Sequence, residues 1–85
     1  MIFTVVYQPE IENDLADLWL NAPDRAAVTV AANTIDDQLR RNPYAKSESR
    51  SGNTRVMFVP PLGVAYDVED DDCLVTVWAV WRYES

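Results

Sequence analysis

Three arginines and a tyrosine are the residues best suited to act on a phosphate or an acidic partner. Arg50 and Arg55 flank the breaker Ser51-Gly52-Asn53, and Arg82-Tyr83 follows the longest apolar run, Cys73–Trp81. A guanidinium offers paired N–H donors to phosphate or carboxylate, so this spacing suits a grip on either. The plainer alternative is structural. Arg50 is then solvated, and Arg55 pairs with a carboxylate across a sheet, with Asp67 in reach. Arg82 lays its stem on Trp81 or Trp78, and Tyr83 is an edge residue. Other candidates are weaker. Glu69-Asp70-Asp71-Asp72 lacks the spaced ligands and turn glycine of a calcium loop and reads as a solvated hairpin turn. Asp14, Asp17, Asp36 and Asp37 read as solubilising groups on polar helix faces. Cys73 reads as a small buried residue at a strand start. No metal site and no cofactor is expected.

The elements that position these residues belong to one domain, residues 1–85. The chain has no His, which removes Ser-His and Cys-His catalysis and imidazole metal sites. One Cys forms no internal disulfide. No apolar run approaches the ~18 residues of a membrane helix. The opening Met1-Ile2-Phe3-Thr4-Val5-Val6 lacks the basic region of a signal peptide. The expectation is a cytoplasmic protein with no membrane contact.

Ile2–Tyr7, β-branched and aromatic, reads as a strand. Pro9 suits a first helical turn, and Ile11, Leu15, Leu18 and Trp19 then mark one helix face. A second helix starts near Pro23-Asp24, buries Val28, Ala31, Ala32, Ile35 and Leu39, and ends with Arg40 and Arg41 before Pro43. The connection between them is short, so the helices pack antiparallel. Strands follow at Thr54–Val59, Val64–Val68 and Leu74–Arg82, with a short one near Lys46–Arg50. The order β-α-α-β-β-β predicts an α+β fold, two antiparallel helices on one face of a largely antiparallel sheet.

The last strand departs from the usual alternation. Val75, Val77, Ala79 and Trp81 lie on one side, and Leu74, Thr76, Trp78 and Val80 on the other, so both sides are apolar. Two helices cover one face, so a curled sheet, a second copy or a partner segment must cover the other. Otherwise a bulge turns one tryptophan back into the core.

In their order, these segments resemble the RelE/ParE superfamily, the toxins of bacterial type II toxin–antitoxin (plasmid stabilisation) systems. Tyr7–Leu15 resembles the family's first strand running into an acidic first helix. Ser49–Val56 resembles its hairpin, Gly63–Val68 its strand ending in Tyr-x-Val, and Val75–Arg82 its closing strand. The resemblance implies a toxin that binds a cognate antitoxin, encoded nearby as a DNA-binding fold with an acidic tail, at an interface including Trp78 and Trp81. A homodimer through the same surface is the competing assembly. The RelE branch cuts mRNA on the ribosome with basic residues and a tyrosine, whereas the ParE branch inhibits DNA gyrase. Arg55 matches a family lysine, while Met57 and Gly63 stand where the family has a second lysine and its central arginine. Arg82 and Tyr83 lie beside its C-terminal basic position. The chain ends at Ser85, which leaves Tyr83 as the stand-in for the family's tyrosine. The implied catalytic set is therefore Arg55, Arg82 and Tyr83. A member that keeps the fold but has lost toxicity is the remaining reading.

The net charge of −7 is unevenly spread. Between residues 40 and 55, Arg40, Arg41, Lys46, Arg50 and Arg55 face Glu48 alone, a local balance of +4, and the rest of the chain carries −11. An anionic partner, nucleic acid or protein, would therefore dock on Arg40, Arg41, Lys46 and Arg50. We expect the isolated chain to dimerise or to expose an apolar patch around Trp78 or Trp81. Light scattering combined with tryptophan quenching checks this, and a monodisperse monomer with both indoles shielded contradicts it.

Overall fold

The computed structural model describes residues 2–83; the ends of the expected 1–85 domain, Met1 and Glu84-Ser85, lie outside the described residues. The elements run β1 (Thr4–Tyr7), α1 (Pro9–Asn21), α2 (Arg25–Arg41), β2 (Ser47–Ser49), β3 (Thr54–Val59), β4 (Leu62–Glu69) and β5 (Leu74–Arg82). The sheet order is β1-β5-β4-β3-β2, with β1 parallel to β5 and the other pairs antiparallel. This is the α+β architecture expected from the order of segments.

Both helices pack on one face of the sheet, α1 over β5 and α2 over β1, β3 and β4. Ile11 of α1 and Val28, Ala31, Ile35 and Leu39 of α2 are buried against Val5, Met57, Leu62, Val64, Tyr66, Val68, Val75 and Val77. Each fully buried Val, Ile, Leu or Met side chain among them contributes roughly 1.5–3 kcal/mol when withdrawn from water. Trp19, expected on the buried stripe, is instead 39% exposed. Its indole N–H donates to Thr29 Oγ1 across the helix pair. The helices are fastened at their turn by Arg25. This residue donates to the carbonyls of Trp19 and Leu20 and lies 4.9 Å over the Trp19 ring. Arg25 thus serves the α1 terminus, whose own last turn carries no basic residue.

Three further polar ties join the layers. The buried Tyr66 hydroxyl donates to the Pro43 carbonyl at 2.6 Å, joining β4 to the segment after α2. Arg82 at the end of β5 pairs with Asp24, just before α2, at 3.0 Å. Tyr7 of β1 donates to Asp36 Oδ1 at 2.7 Å, and Arg40 reaches Asp36 Oδ2 at 2.8 Å. Burial works against the Asp36 charge, but the bonds from Arg40 and Tyr7 outweigh it and hold the carboxyl below its usual range. Burial and the neighbouring carboxylate push the Tyr7 hydroxyl up.

A depressed native value stabilises the fold above the unfolded carboxylate value of about 3.9 and is lost as pH falls through the native one. Urea midpoints measured from pH 5 downward should therefore fall on the acid side. Asp36→Asn should show a shallower fall.

Candidate functional site

The site is built by an irregularity in β5. Across β4 and β5, Tyr66 faces Val77 while Ala65 faces Ala79, so Trp78 has no opposite number. This is a bulge, and it switches the alternation. Beyond it Val80 and Arg82 join Val75 and Val77 on the helix side. Trp81 falls with Trp78 on the other side. The bulge expected to return one tryptophan to the core therefore leaves both on the uncovered face, and it explains why the strand reads as apolar on both sides. Among the described residues no element covers that face.

The open face carries two groupings. At one end Trp81 meets Phe58 edge-on at 6.0 Å between ring centres, and the Tyr83 ring lies 4.6 Å from that of Phe58. The Tyr83 backbone N–H holds the Pro61 carbonyl at 2.7 Å, which fixes the strand end. Gly63, opposite Trp81 in register, lies beneath this indole, and a Cβ there would come within 2.6 Å of the ring. In the middle of the face Trp78 is 41% exposed. Its indole N–H donates to Asp67 Oδ1 at 3.2 Å, and Thr54 donates to the same oxygen at 2.6 Å.

Asp67 is thus not the partner of Arg55. Arg55 lies on the opposite side of β3, donates to Ser47 Oγ at 2.8 Å and stacks 5.1 Å over the Tyr44 ring. The Tyr44 hydroxyl donates to Asp70 at 2.5 Å, and that bond and the acid's charge raise its pKa. Arg55 and Arg82 are four register positions apart along β4, roughly 13 Å by strand rise. Both face the helix side and are engaged by Ser47 and Asp24, whereas Tyr83 packs on the open face. The structure does not bring Arg55, Arg82 and Tyr83 to one place.

The basic stretch is also dispersed. Arg40 and Arg41 are bonded one helical turn back to Asp36 and Asp37, at 2.8 and 3.1 Å. Arg50 turns to Glu48 at 3.4 Å. Lys46 sits exposed in the loop before β2, at φ 57. Counting Asp36 and Asp37 lowers the local balance from +4 to +2. The Glu69–Asp72 run is exposed, Glu69 ending β4 and Asp70–Asp72 making the β4–β5 turn, and Cys73 is half-buried with a φ of 48. Among the described residues no group of three His, Cys, Asp or Glu side chains is placed to hold a metal. No helix of the structure is long and apolar enough to cross a membrane. Phe58 escaped the reading of the sequence, and Gly63 entered it only as the place of the family's central arginine, not as the seat of the Trp81 ring. An aromatic and a glycine paired across two strands were a usable signal once the register was known.

No family model matches the sequence, and no curated protein matches it significantly. Solved structures do match over nearly the whole chain. The toxin–antitoxin complex RelBE2 of Mycobacterium tuberculosis superposes with a TM-score of 0.78 at 16% identity, over 96% of this chain and 99% of that one. The archaeal RelE–RelB complex of Pyrococcus horikoshii gives 0.74 at 14% identity, over 96% of each chain. The isolated E. coli RelE toxin gives 0.67 at 13% identity, over 100% of this chain and 87% of that one. The chain has the RelE fold.

Adding a methyl group at residue 63 tests the aromatic end of the site. Gly63→Ala must displace the Trp81 indole and should cost about 1–3 kcal/mol in urea unfolding. In a Trp81→Ala background the same change should cost far less, a non-additivity that a double-mutant cycle reads directly.

Proposed function

We propose that this chain is the toxin component of a type II toxin–antitoxin module, with a cognate antitoxin covering the open sheet face. The observation that carries this reading is that face. It presents Trp78, Trp81, Phe58 and Tyr83 without a covering layer among the described residues, in a fold whose solved counterparts include RelE toxins crystallised with RelB partners. Apolar anchors from a partner segment gain about 25 cal/mol per Å² of apolar area removed from water there. The aromatic platform by itself also suits stacked bases, but its charged neighbours do not. Glu48 and Asp67 lie on this face, and Arg50 is drawn to Glu48. Repulsion between these carboxylates and phosphate favours a polypeptide over a nucleic acid.

The same geometry favours a toxin that acts by binding in the cytoplasm, on gyrase or on the translation machinery, over one that cuts mRNA. Cleavage needs cations aimed at one developing charge and a proton-transfer group in reach of the same phosphate. Arg55 and Arg82 are held by Ser47 and Asp24 on the covered side of the sheet, and arginine stays protonated. The place where the family has its central arginine is Gly63, over which the Trp81 ring lies.

Induced expression should arrest growth, and co-expression of the protein encoded next to it should relieve the arrest. Arg55→Ala and Arg82→Ala, verified as folded by circular dichroism, should leave the arrest intact. Trp78→Ala combined with Trp81→Ala should lose the partner in a pull-down. Loss of arrest in the folded arginine variants would establish the nuclease reading instead. No arrest at all from the parent chain would mark a member that has lost toxicity. Gyrase supercoiling and cell-free translation, each assayed at saturating protein, separate the two targets.

A further inference from the structure

Any segment that covers the open sheet face must accommodate one charge at its centre. Asp67 lies there on β4, half-buried. Its neighbours in register, Thr54 on β3 and Thr76 on β5, are uncharged. Thr54 and the Trp78 indole N–H both donate to Oδ1, at 2.6 and 3.2 Å. Among the described residues Oδ2 accepts no hydrogen bond, and no Lys or Arg pairs with this carboxylate. Two neutral donors orient the group and leave its charge in place. Glu69, two residues along β4, alternates to the same side and is exposed. The cation of the neighbouring hairpin, Arg50, turns to Glu48 at 3.4 Å.

In the free chain solvent reaches this carboxylate, and under a covering segment it does not. An apolar cover would strand an ionised group away from water, which opposes binding. An acidic cover would add repulsion. A cation removes both penalties, and the adjacent indole selects its kind. Trp78 is 41% exposed with its N–H already on Oδ1, so ring and carboxylate lie side by side. A planar guanidinium donates to Oδ2 and rests against the ring in one pose, which a compact ammonium does less well. We propose that the polypeptide covering the open sheet face seats an arginine on Asp67 and Trp78 and lays apolar side chains on Phe58, Trp81 and Tyr83. This rests on the reading that a protein partner covers that face, and it states what the partner must carry there. Asp67 and Gly63, which lies under Trp81, are four residues apart on β4, roughly 13 Å by strand rise. In an extended partner segment the arginine and its apolar anchors are therefore about four residues apart.

The test selects peptides from a random displayed library on the immobilised full chain. It keeps those that fail to bind the Trp78→Ala, Trp81→Ala double variant, and these should be enriched in arginine. One of them, made synthetically, should bind Asp67→Asn at least about tenfold more weakly than the parent chain. Asparagine keeps an oxygen for both donors, so the change removes the charge and leaves the local bonds, and a urea midpoint confirms the fold. Glu69→Gln, at the exposed rim, should cost less than about threefold. Replacing the peptide's arginine by glutamine should weaken binding to the parent by a similar factor of about ten and hardly affect binding to Asp67→Asn, a coupling that a double-mutant cycle reads. Selected peptides without a cation, or equal affinity for parent and Asp67→Asn, would overturn the proposal. So would failure to select any peptide that needs the two tryptophans. A dimer of the free chain that the double variant dissociates would also overturn it, because a second copy would then cover the face. None of these readouts uses growth arrest or the neighbouring gene's product, so this proposal and the toxin reading can fail separately.

Discussion

One unpaired residue in the last strand organises much of this molecule. With Trp78 inserted between the Val77–Tyr66 and Ala79–Ala65 pairs, every residue beyond it changes sides. Val80 then completes the apolar floor beneath α1, and Arg82 reaches Asp24 before α2. Trp81 swings over Gly63 and joins Phe58 and Tyr83. Without the bulge, strict alternation would set Trp81 against the helices and Arg82 on the open face. The core face would then carry a bulky indole where Val80 now fits, and the aromatic cluster would not exist.

The arginines are largely consumed by assembly. Arg25 serves the α1 terminus, Arg40 and Tyr7 share Asp36, Arg55 lies between Ser47 and Tyr44, and Arg82 meets Asp24. Exposed pairs such as Arg41–Asp37 contribute at most about 1 kcal/mol each. Their larger effect is to fix where each cation points. A chain with this many acids and few bases uses its arginines to hold its own layers, which leaves recognition to apolar surfaces bordered by carboxylates. The aromatic sheet face, with Glu48 and Asp67 on it, has that character.

Much of this was legible along the chain. The boundaries of Thr54–Val59 and Leu74–Arg82 follow from β-branched and aromatic runs, and those runs are long enough to outweigh their neighbours. The buried stripe Val28, Ala31, Ile35 and Leu39 follows from helical periodicity. Other features were hidden for definite reasons. Strand β4 begins at Leu62, directly after Pro60-Pro61, because the hairpin turn is tight enough to leave Leu62 paired with Val59. Arg55 alternates onto the helix side, whereas Asp67 alternates onto the open one, so residues one register step apart never meet. The basic stretch looked stronger than it is because its neutralising carboxylates, Asp36 and Asp37, lie one helical turn upstream, outside any contiguous window.

Local sequence pattern settles the fold class, the order of the elements and the stripe of the second helix. Those depend on local propensity and on periodicities of two and 3.6 residues, which operate within a single segment. Tertiary structure alone decided the register of β5 on β4. That register requires a neighbouring strand to define it, and the side of the sheet on which Trp81 and Arg82 fall depends on it. The placing of Trp81 on the open face is a consequence of that one shift, whereas Arg55, Arg82 and Tyr83 are kept apart by the four positions between Arg55 and Arg82 along β4 and by the alternation that sets Arg82 and Tyr83 on opposite faces.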